Sequence, residues 1–589
     1  MRQRSKLLAV LLCLTLLAGM LGGCTTEMAQ WLQDENAAVE KEEVQEPETA
    51  GPLRDKDSLY EDSDPTSVIT MYLTVRTGNE AENTNHTWKE INSYSVYDYE
   101  KKGEDRYRVE AILQVGDENG PVEGELGYGA VTANSIVQIR GQSSSQSPQK
   151  NYKIEVKKEK GEWEGQRTIN LNKHYSDKTR FKNKLCYDLM TELDGMMSAR
   201  TQFVHLYVKD ETTGATNAKF VDYGLYTQVE QINKTYLNTH ELDKNGQLYK
   251  INYFEFYEYD AVKLKTDPDY NLAAMEYYLE VKGSDDHQKL LNMLADVNDY
   301  TQPIEEIFAK WFDEENYFSW LAFHILMGNS DTQSRNHFLY SSTNQNTWYF
   351  ISWDNDGSLL RTLDFVQDDA TEYGWEVGVS NYWGNVLHNR VLHSEKYRKL
   401  LDEKIEEYHK IITQEKISAM AQAYGQVVRP FAFSNPDMEY IGVTPQEYTY
   451  LINHIGEEIE VNYQAYKKSL QQPMPFYLVL PKDDGTNFTY EWGTAYDFDN
   501  ENIVYTVEVA KDYTFKNVLY KAENLVLPQF TTEQLKPGQY FYRVTATNQS
   551  GYTQVPFDYY FADNLGKQYG MLCFYVLNDG TIQGETFDE

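Results

Sequence analysis

The hydrophobic period changes twice along this 589-residue chain, and few architectures accommodate that. From Val68 to about residue 250, apolar and polar residues partly alternate in the short runs VITMYLTV, YRVEAILQV, SIVQIRG, NYKIEVKK, FVHLYVK and GLYTQVEQI. Period two is the signature of strands. One stretch, KTRFKNKLCYDLMTEL, breaks it with helical spacing through Phe181, Leu185, Leu189 and Leu193. After residue 285 the period is helical, in HQKLLNMLADV, PIEEIFAKWF and DEENYFSWLAFHILMG. In the last, Asp313 stands where a cap belongs and Gly328 where a helix stops. The short strands NHFLYSS and WYFISWD follow, then the amphipathic helices SEKYRKLLDEKIEEYHKII and TQEKISAMAQAYGQVV. From about residue 475 the strand period returns. The expected class is α+β: a bilobal domain over 66–470, β-rich then α-rich, followed by a separate all-β unit. The length suits two to four domains.

The all-β unit is expected over 475–562, with 563–589 as a tail holding one strand candidate, YGMLCFYVL. The run LKPGQYFYRVTATNQSG resembles the late strands of fibronectin type III domains through Leu535, Gly538, Tyr540, Val544, Ala546, Asn548 and Gly551. Trp492 and Tyr505 fit the earlier core positions. The resemblance implies an immunoglobulin-like sandwich in which these are core and turn residues.

Residues 1–23 read as a lipoprotein signal peptide. Arg2, Arg4 and Lys6 precede an apolar stretch, Leu7 to Leu21, too short for a comfortable bilayer span. Leu21-Gly22-Gly23-Cys24 resembles a bacterial lipobox, which would make Cys24 the lipidated anchor; an ordinary signal peptide with a chance cysteine is the alternative. Residues 24–65 are acidic and poor in apolar residues, and are expected to be a flexible linker. The protein is then expected on the outer face of the cell membrane, lipid-anchored.

A formal net charge of −37 disfavours nucleic acid as a partner, because such binders cluster Lys and Arg. The other cysteines, Cys13, Cys186 and Cys573, show no CxxC or zinc spacing, and at most one disulfide, Cys186–Cys573, is open to the mature chain. The 48 tyrosines suit an extracellular surface that meets sugars or proteins.

The chemistry concentrates in GNSDTQSRNHFLY and WYFISWDNDGS. Asp331 and Asn336 lie five residues apart in a loop after a helix; Asp354 and Asp356 lie at a strand end. Phosphoryl transfer uses one carboxylate on the acceptor hydroxyl, and an amide oxygen with a second carboxylate to hold Mg²⁺ on the phosphates. D-x-x-x-x-N is the spacing of protein-kinase catalytic loops, and magnesium prefers hard oxygen ligands. Asp and Asn in loops also cap turns, so the order of elements around these residues carries the reading. A second element, SIVQIRGQSSSQSPQKNYKIEVKK, closes a strand with a small-residue turn at Arg140-Gly141-Gln142-Ser143-Ser144. It could cradle phosphate with a following lysine, or be an ordinary hairpin with surface lysines.

RGQSSSQSPQKNYKIEV, GLYTQVEQINKTYL, GQLYK, SDTQSRNHFLY and WYFISWDND together resemble the CotH kinase-like family of atypical protein kinases, in order, over roughly residues 68–470. The resemblance implies a kinase-like bilobal fold, ATP with Mg²⁺ or Mn²⁺, and Ser or Thr hydroxyls of a surface or secreted protein as acceptors. Asp331 matches the catalytic aspartate. Asn336 and Asp354 match metal ligands, with Asp356 nearby. Arg140 and Ser143 fall on the RG-x-S-S turn. Lys150 or Lys153 would contact phosphates. Glu230 would serve the nucleotide or hold the lobes together. Asn329-Ser330 replaces the His-Arg of ordinary protein kinases. The competing class is a non-catalytic surface scaffold binding cell-wall polysaccharide or protein; a glycoside hydrolase would need a carboxylate pair that no motif here singles out.

Overall fold

The computed structural model describes residues 53–585, apart from 62, 215–216, 368–373 and 563–565. The signal peptide, Cys24 and the linker up to residue 52 lie outside the described residues, as do 586–589. From Leu53 the supposed linker already belongs to the fold. Leu53 is buried, Asp55 pairs with His240 at 2.5 Å, and the Tyr60 hydroxyl donates to Asp55 at 2.7 Å. An acidic segment with little apolar surface to bury can still be held by charge and hydrogen bonds, which composition does not register.

The β-rich lobe is a closed barrel. Strands β1 (Val68–Arg76), β2 (Val109–Asp117), β4 (Ser135–Arg140), β5 (Asn151–Val156), β6 (Thr168–Asn172), β7 (Thr201–Asp210) and β8 (Val221–Glu230) pair in the order β1-β7-β8-β6-β5-β4-β2, and β2 pairs back to β1. A short β3 (Gly120–Pro121) extends β2. Only β1 and β7 run parallel; the other pairs are antiparallel. Alternation fills the ring: Val137 and Ile139 of β4, Tyr152 and Ile154 of β5, and Leu73 and Val204 of β1 and β7 all point into one core. Outward positions face solvent or the second lobe, and the helix Lys182–Met190 packs there through Leu185 and Leu189 against Phe203, Leu225 and Val229.

The second lobe surrounds the helix Glu314–Leu326, whose residues are buried from Asn316 onward. The Asp313 carboxylate accepts from the Asn316 amide at 2.7 Å and Gly328 takes a φ of +63°, ending the helix where the sequence places its stop. A four-stranded antiparallel sheet lies beside it in the order β10-β9-β11-β12: β9 (Gln247–Ile251), β10 (Leu279–Val281), β11 (His337–Ser341) and β12 (Tyr349–Ser352). Helices Gln288–Asn298, Ile304–Trp311, Val386–His393, Glu395–His409, Gln414–Ala432, Pro445–His454 and Glu458–Ser469 also belong to the lobe.

The C-terminal region is β-rich. One sheet joins β13 (Leu478–Asp483), β14 (Asn487–Trp492) and β17 (Gln529–Glu533). The other joins β15 (Val504–Ala510), β16 (Val518–Leu525), β18 (Gly538–Thr547), β22 (Met571–Val576) and β23 (Ile582–Gly584), with β19 (Thr553–Gln554) on β18. β20 (Tyr559–Ala562) and β21 (Gly566–Tyr569) form a hairpin. Tyr490 and Trp492 of the first sheet share a core with Tyr505, Val544 and Phe574 of the second. The segment 563–589, read as a tail, therefore carries an interior strand, β22, between β18 and β23: Phe541 pairs with Cys573 along β18 and β22. Cys186 and Cys573 are both free and buried in different cores, so the possible disulfide does not form.

Candidate active site

Asp331 sits in a single 3-10 turn, Ser330–Thr332, directly after the central helix. Its carboxylate is held from two sides. Asn336 Nδ2 donates to Oδ2 at 2.8 Å, and Arg335 Nε approaches Oδ1 at 3.1 Å while its guanidinium lies over the Tyr253 ring. Asn336 adopts a left-handed φ of +58°, affordable for asparagine, and its carbonyl accepts from the Trp353 amide at 3.1 Å. That bond joins the loop to the end of β12.

Asp354 follows β12 and is itself left-handed, at φ +53°. Its amide donates to the Tyr187 hydroxyl at 3.2 Å, and the Asn355 amide donates to Asn183 Oδ1 at 3.0 Å. Both partners lie on the helix Lys182–Met190, so the helix packed on the barrel fixes the aspartate turn. Gly357 closes the turn against the loop: a Cβ there would meet Asn329 Oδ1 at 2.8 Å.

Three carboxylates thus feel one another. The charge of Asp354, reinforced by burial, pushes Asp356 up to about 8, with Asp177 and Asp331 adding and Lys182 opposing. Desolvation by the surrounding groups raises Asp331, whose side chain still keeps 48% of its surface exposed, and Asp354 adds to it, while Arg335 and Lys567 work against both. The barrel supplies the opposing charge through Arg140 at the end of β4. Burial lowers its pKa and Asp354 counters; its side chain bonds Asn172 and lies 5.9 Å from the Trp353 ring. Lys182, buried at the helix start, reaches Leu359 O at 3.4 Å. His174, pushed down to about 4 by burial, stands neutral behind them.

The donor set fits a hard divalent cation. Asp354 and Asp356 repel each other in a half-buried place, and the bond from Asn336 Nδ2 leaves Oδ1 as that side chain's acceptor. Among the described residues no three His, Cys, Asp or Glu side chains form a metal-holding group. Magnesium is commonly held by one or two carboxylates, with water and substrate phosphates completing its shell.

The other expected residues are distributed differently. Ser143 is exposed in the turn after Arg140, where Gly141 takes φ +94°. Lys150 donates to Ser145 O at 2.6 Å and braces that turn; Lys153 pairs with Glu155 at 2.7 Å on the outer face of β5. Neither ammonium is brought to the carboxylates, and the barrel's cation there is Arg140. Glu230 is not brought there either. It is buried and bonded to Arg200 at 2.6 Å and to His240 at 3.1 Å, an ion network that holds the barrel to the segment at Asp55. Arg335, Lys182, Asn183 and Tyr187 complete the site without a motif to announce them. Arg335 alone carried a signal, as a cation inside the loop that bears Asp331.

Comparison with known proteins accords with this geometry. The family described as CotH kinase protein matches residues 137–471. The inner spore coat protein H of Bacillus subtilis (strain 168) is 25% identical over 303 residues, 51% of this chain and 78% of that protein. Two solved structures align at 10% identity. The Helicobacter pylori proinflammatory kinase CtkA covers 54% of this chain and 94% of its own, at a TM-score of 0.25. The HipA, HipB and operator DNA complex of the Shewanella oneidensis MR-1 toxin–antitoxin system covers 60% and 67%, at a TM-score of 0.21. Scores this low carry no weight for the site.

Proposed function

Because the chain belongs to the CotH kinase protein family, we propose that it is an atypical kinase, moving the terminal phosphoryl group of ATP to Ser or Thr hydroxyls of proteins. The observation that supports this best is the convergence of the Asp331–Asn336 loop, the Asp354 turn and Arg140 of the barrel. Asp331 orients the acceptor hydroxyl and takes its proton, a role suited to a carboxylate whose pKa is raised toward working pH. Asp354, Asp356 and Asn336 would hold Mg²⁺ or Mn²⁺, which when bound neutralises the phosphates. Arg140 and Lys182 bring fixed positive charge to the same place, and exposed Ser143 borders it.

The test is the full chain with labelled ATP and Mg²⁺ or Mn²⁺, beside Asp331→Ala and Asp354→Ala. Label transfer lost in both folded variants supports the reading. Absence of nucleotide binding by the folded wild type overturns it.

The N-terminal motif supports lipidation at Cys24 and a place on the outer face of the membrane, checked by acyl-label incorporation that Cys24→Ala abolishes. No helix among the described residues is long and apolar enough to cross a membrane. A fibronectin type III-like sandwich is supported by Tyr540, whose hydroxyl donates to Lys536 O at 2.8 Å, a corner such sandwiches use. A second reading, a surface scaffold binding cell-wall polysaccharide, is favoured by the exposed rings of Tyr253, Tyr257, Tyr277 and Tyr300. Polysaccharide binding that survives Asp354→Ala would support it.

A further inference from the structure

The segment 374–385 follows the Asp354 turn in sequence and lies between two parts of the molecule. On one side it grips the catalytic loop. Asn381 Nδ2 donates to Ser330 O at 3.1 Å, Asn385 Nδ2 to Gln333 O at 2.8 Å, and the Tyr382 and Thr332 hydroxyls bond at 2.9 Å. Asp331 is thus flanked on both sides by residues this segment holds.

On its other side the segment is held by the C-terminal β region. Both oxygens of Glu376 are engaged there, by Lys567 Nζ at 2.6 Å and by the Tyr569 hydroxyl at 2.7 Å, both from β21. Trp375 Nε1 donates to Phe557 O at 3.0 Å, with its ring edge-on to Phe557 and Tyr569. Gln554 Nε2 donates to Ser380 Oγ at 3.2 Å. Gly374, at φ +51°, passes so close that a Cβ would stand 2.6 Å from the Tyr569 ring. Glu376 also lines one cavity with Asn329 and Ser330, which places the clasp against the loop itself. A domain joined only as an appendage would make its contacts at a linker. Here they fall on the segment that borders the reacting group.

We propose that Glu376, Lys567 and Tyr569 form a clasp through which the C-terminal β region positions the Asp331 loop, making Lys567 and Tyr569 positioning residues for phosphoryl transfer. This rests on the kinase reading for its catalytic consequence and on geometry alone for its mechanical one. Releasing the clasp frees the segment, and with it three of the loop's supports. Transfer then suffers because the carboxylate no longer waits in place for the hydroxyl. The nucleotide side, built by Asp354 and the barrel, keeps its own supports in Tyr187 and Asn183.

The experiment uses the full chain with Glu376→Gln, Lys567→Met and Tyr569→Phe, and the charge exchange Glu376→Lys with Lys567→Glu. Two quantities are read: kcat and KM for a Ser-bearing acceptor with ATP binding measured directly, and amide hydrogen exchange over 329–336 without nucleotide. The expected result is a fall in kcat of about tenfold to a hundredfold with ATP affinity within about twofold, faster exchange in the loop, and recovery of both in the exchanged pair. Unchanged exchange in Lys567→Met overturns the clasp, as does exchange that rises equally across the whole second lobe. Should the wild type transfer no phosphate while loop exchange responds and recovers, the kinase reading fails and the clasp stands.

Discussion

Asn336 donates its amide nitrogen to Asp331 at 2.8 Å, so the two residues that define the loop by spacing also hold each other in space. The bond turns one Asp331 oxygen toward Asn336 and the other toward Arg335. Asp331→Asn preserves size but removes the carboxylate that the proposed kinase reading makes the proton acceptor. It should lower phosphate transfer by about 10²- to 10⁴-fold while ATP binding persists. Single-turnover transfer beside equilibrium nucleotide binding checks this; an equal loss of binding would assign Asp331 to the nucleotide instead.

Asp356 is pushed up to about 8 by Asp354 and by burial, so below that pH a cation must displace a proton to use both carboxylates. Apparent Mg²⁺ affinity should therefore rise with pH toward 8 and level off above it. At saturation, near a hundred times Kd, the ion should stabilise the fold by about 2.7 kcal/mol. Calorimetric Tm against Mg²⁺ at several pH values reads both, and Asp354→Asn together with Asp356→Asn should remove the response.

Glu230 gives a stability prediction of definite sign. Burial works to raise its pKa, but the bonds from His240 and Arg200 overcome it and hold the carboxyl at about 2, below the ordinary 4.5. A depressed carboxylate stabilises fully above 4.5, and that contribution disappears as pH falls from there toward 2. The amount is about 3 kcal/mol. His240 has the opposite sign: its raised pKa stabilises below its ordinary value of 6.5 and that part is lost as pH rises. Urea unfolding of Glu230→Gln should show a deficit at pH 7 that closes below pH 4.5; a constant deficit would refute the linkage.

Lys173 of the barrel side and Asp437 of the helical lobe form an ion pair at 2.6 Å with side chains only 1% and 7% exposed. Asp437 also accepts from Gln149 and from the Leu225 amide, which ties it to two barrel segments. Lys173→Met leaves that carboxylate buried without its cation and should cost about 3–5 kcal/mol. Adding Asp437→Asn should recover part of the loss. A double-mutant cycle by urea denaturation measures the coupling, and strict additivity would show the pair to be incidental.

Much of this was legible in the residues. SIVQIR alternates buried and half-buried along β4, and the Asp313 cap and Gly328 stop bound the central helix. Local patterns carry such information because period and caps are local physics. The loop and aspartate turn were legible because each keeps its chemistry within a few residues. Closure of the barrel was not, since it depends on β1 meeting β2 and β7 across long stretches of chain. Arg140 over the lysines and the commitment of Glu230 to Arg200 also escape, because which cation faces which carboxylate is decided by packing between lobes. YGMLCFYVL reads as a strand, but its place beside β18 is set by a partner earlier in the chain.

The parallel pairing of β1 with β7 has a consequence for how the chain comes into being. Val68 finds its partner in Phe203, so a polypeptide emerging from its N-terminus must carry β1 with one side unpaired until residue 210 has appeared. The ring shuts only when β8 follows and bridges β7 to β6, so the two ends of the early sheet wait on residues up to 230. The barrel, first in sequence, is thus completed late, by β7 and β8 together, and an interruption before β7 leaves an open sheet with two adhesive edges.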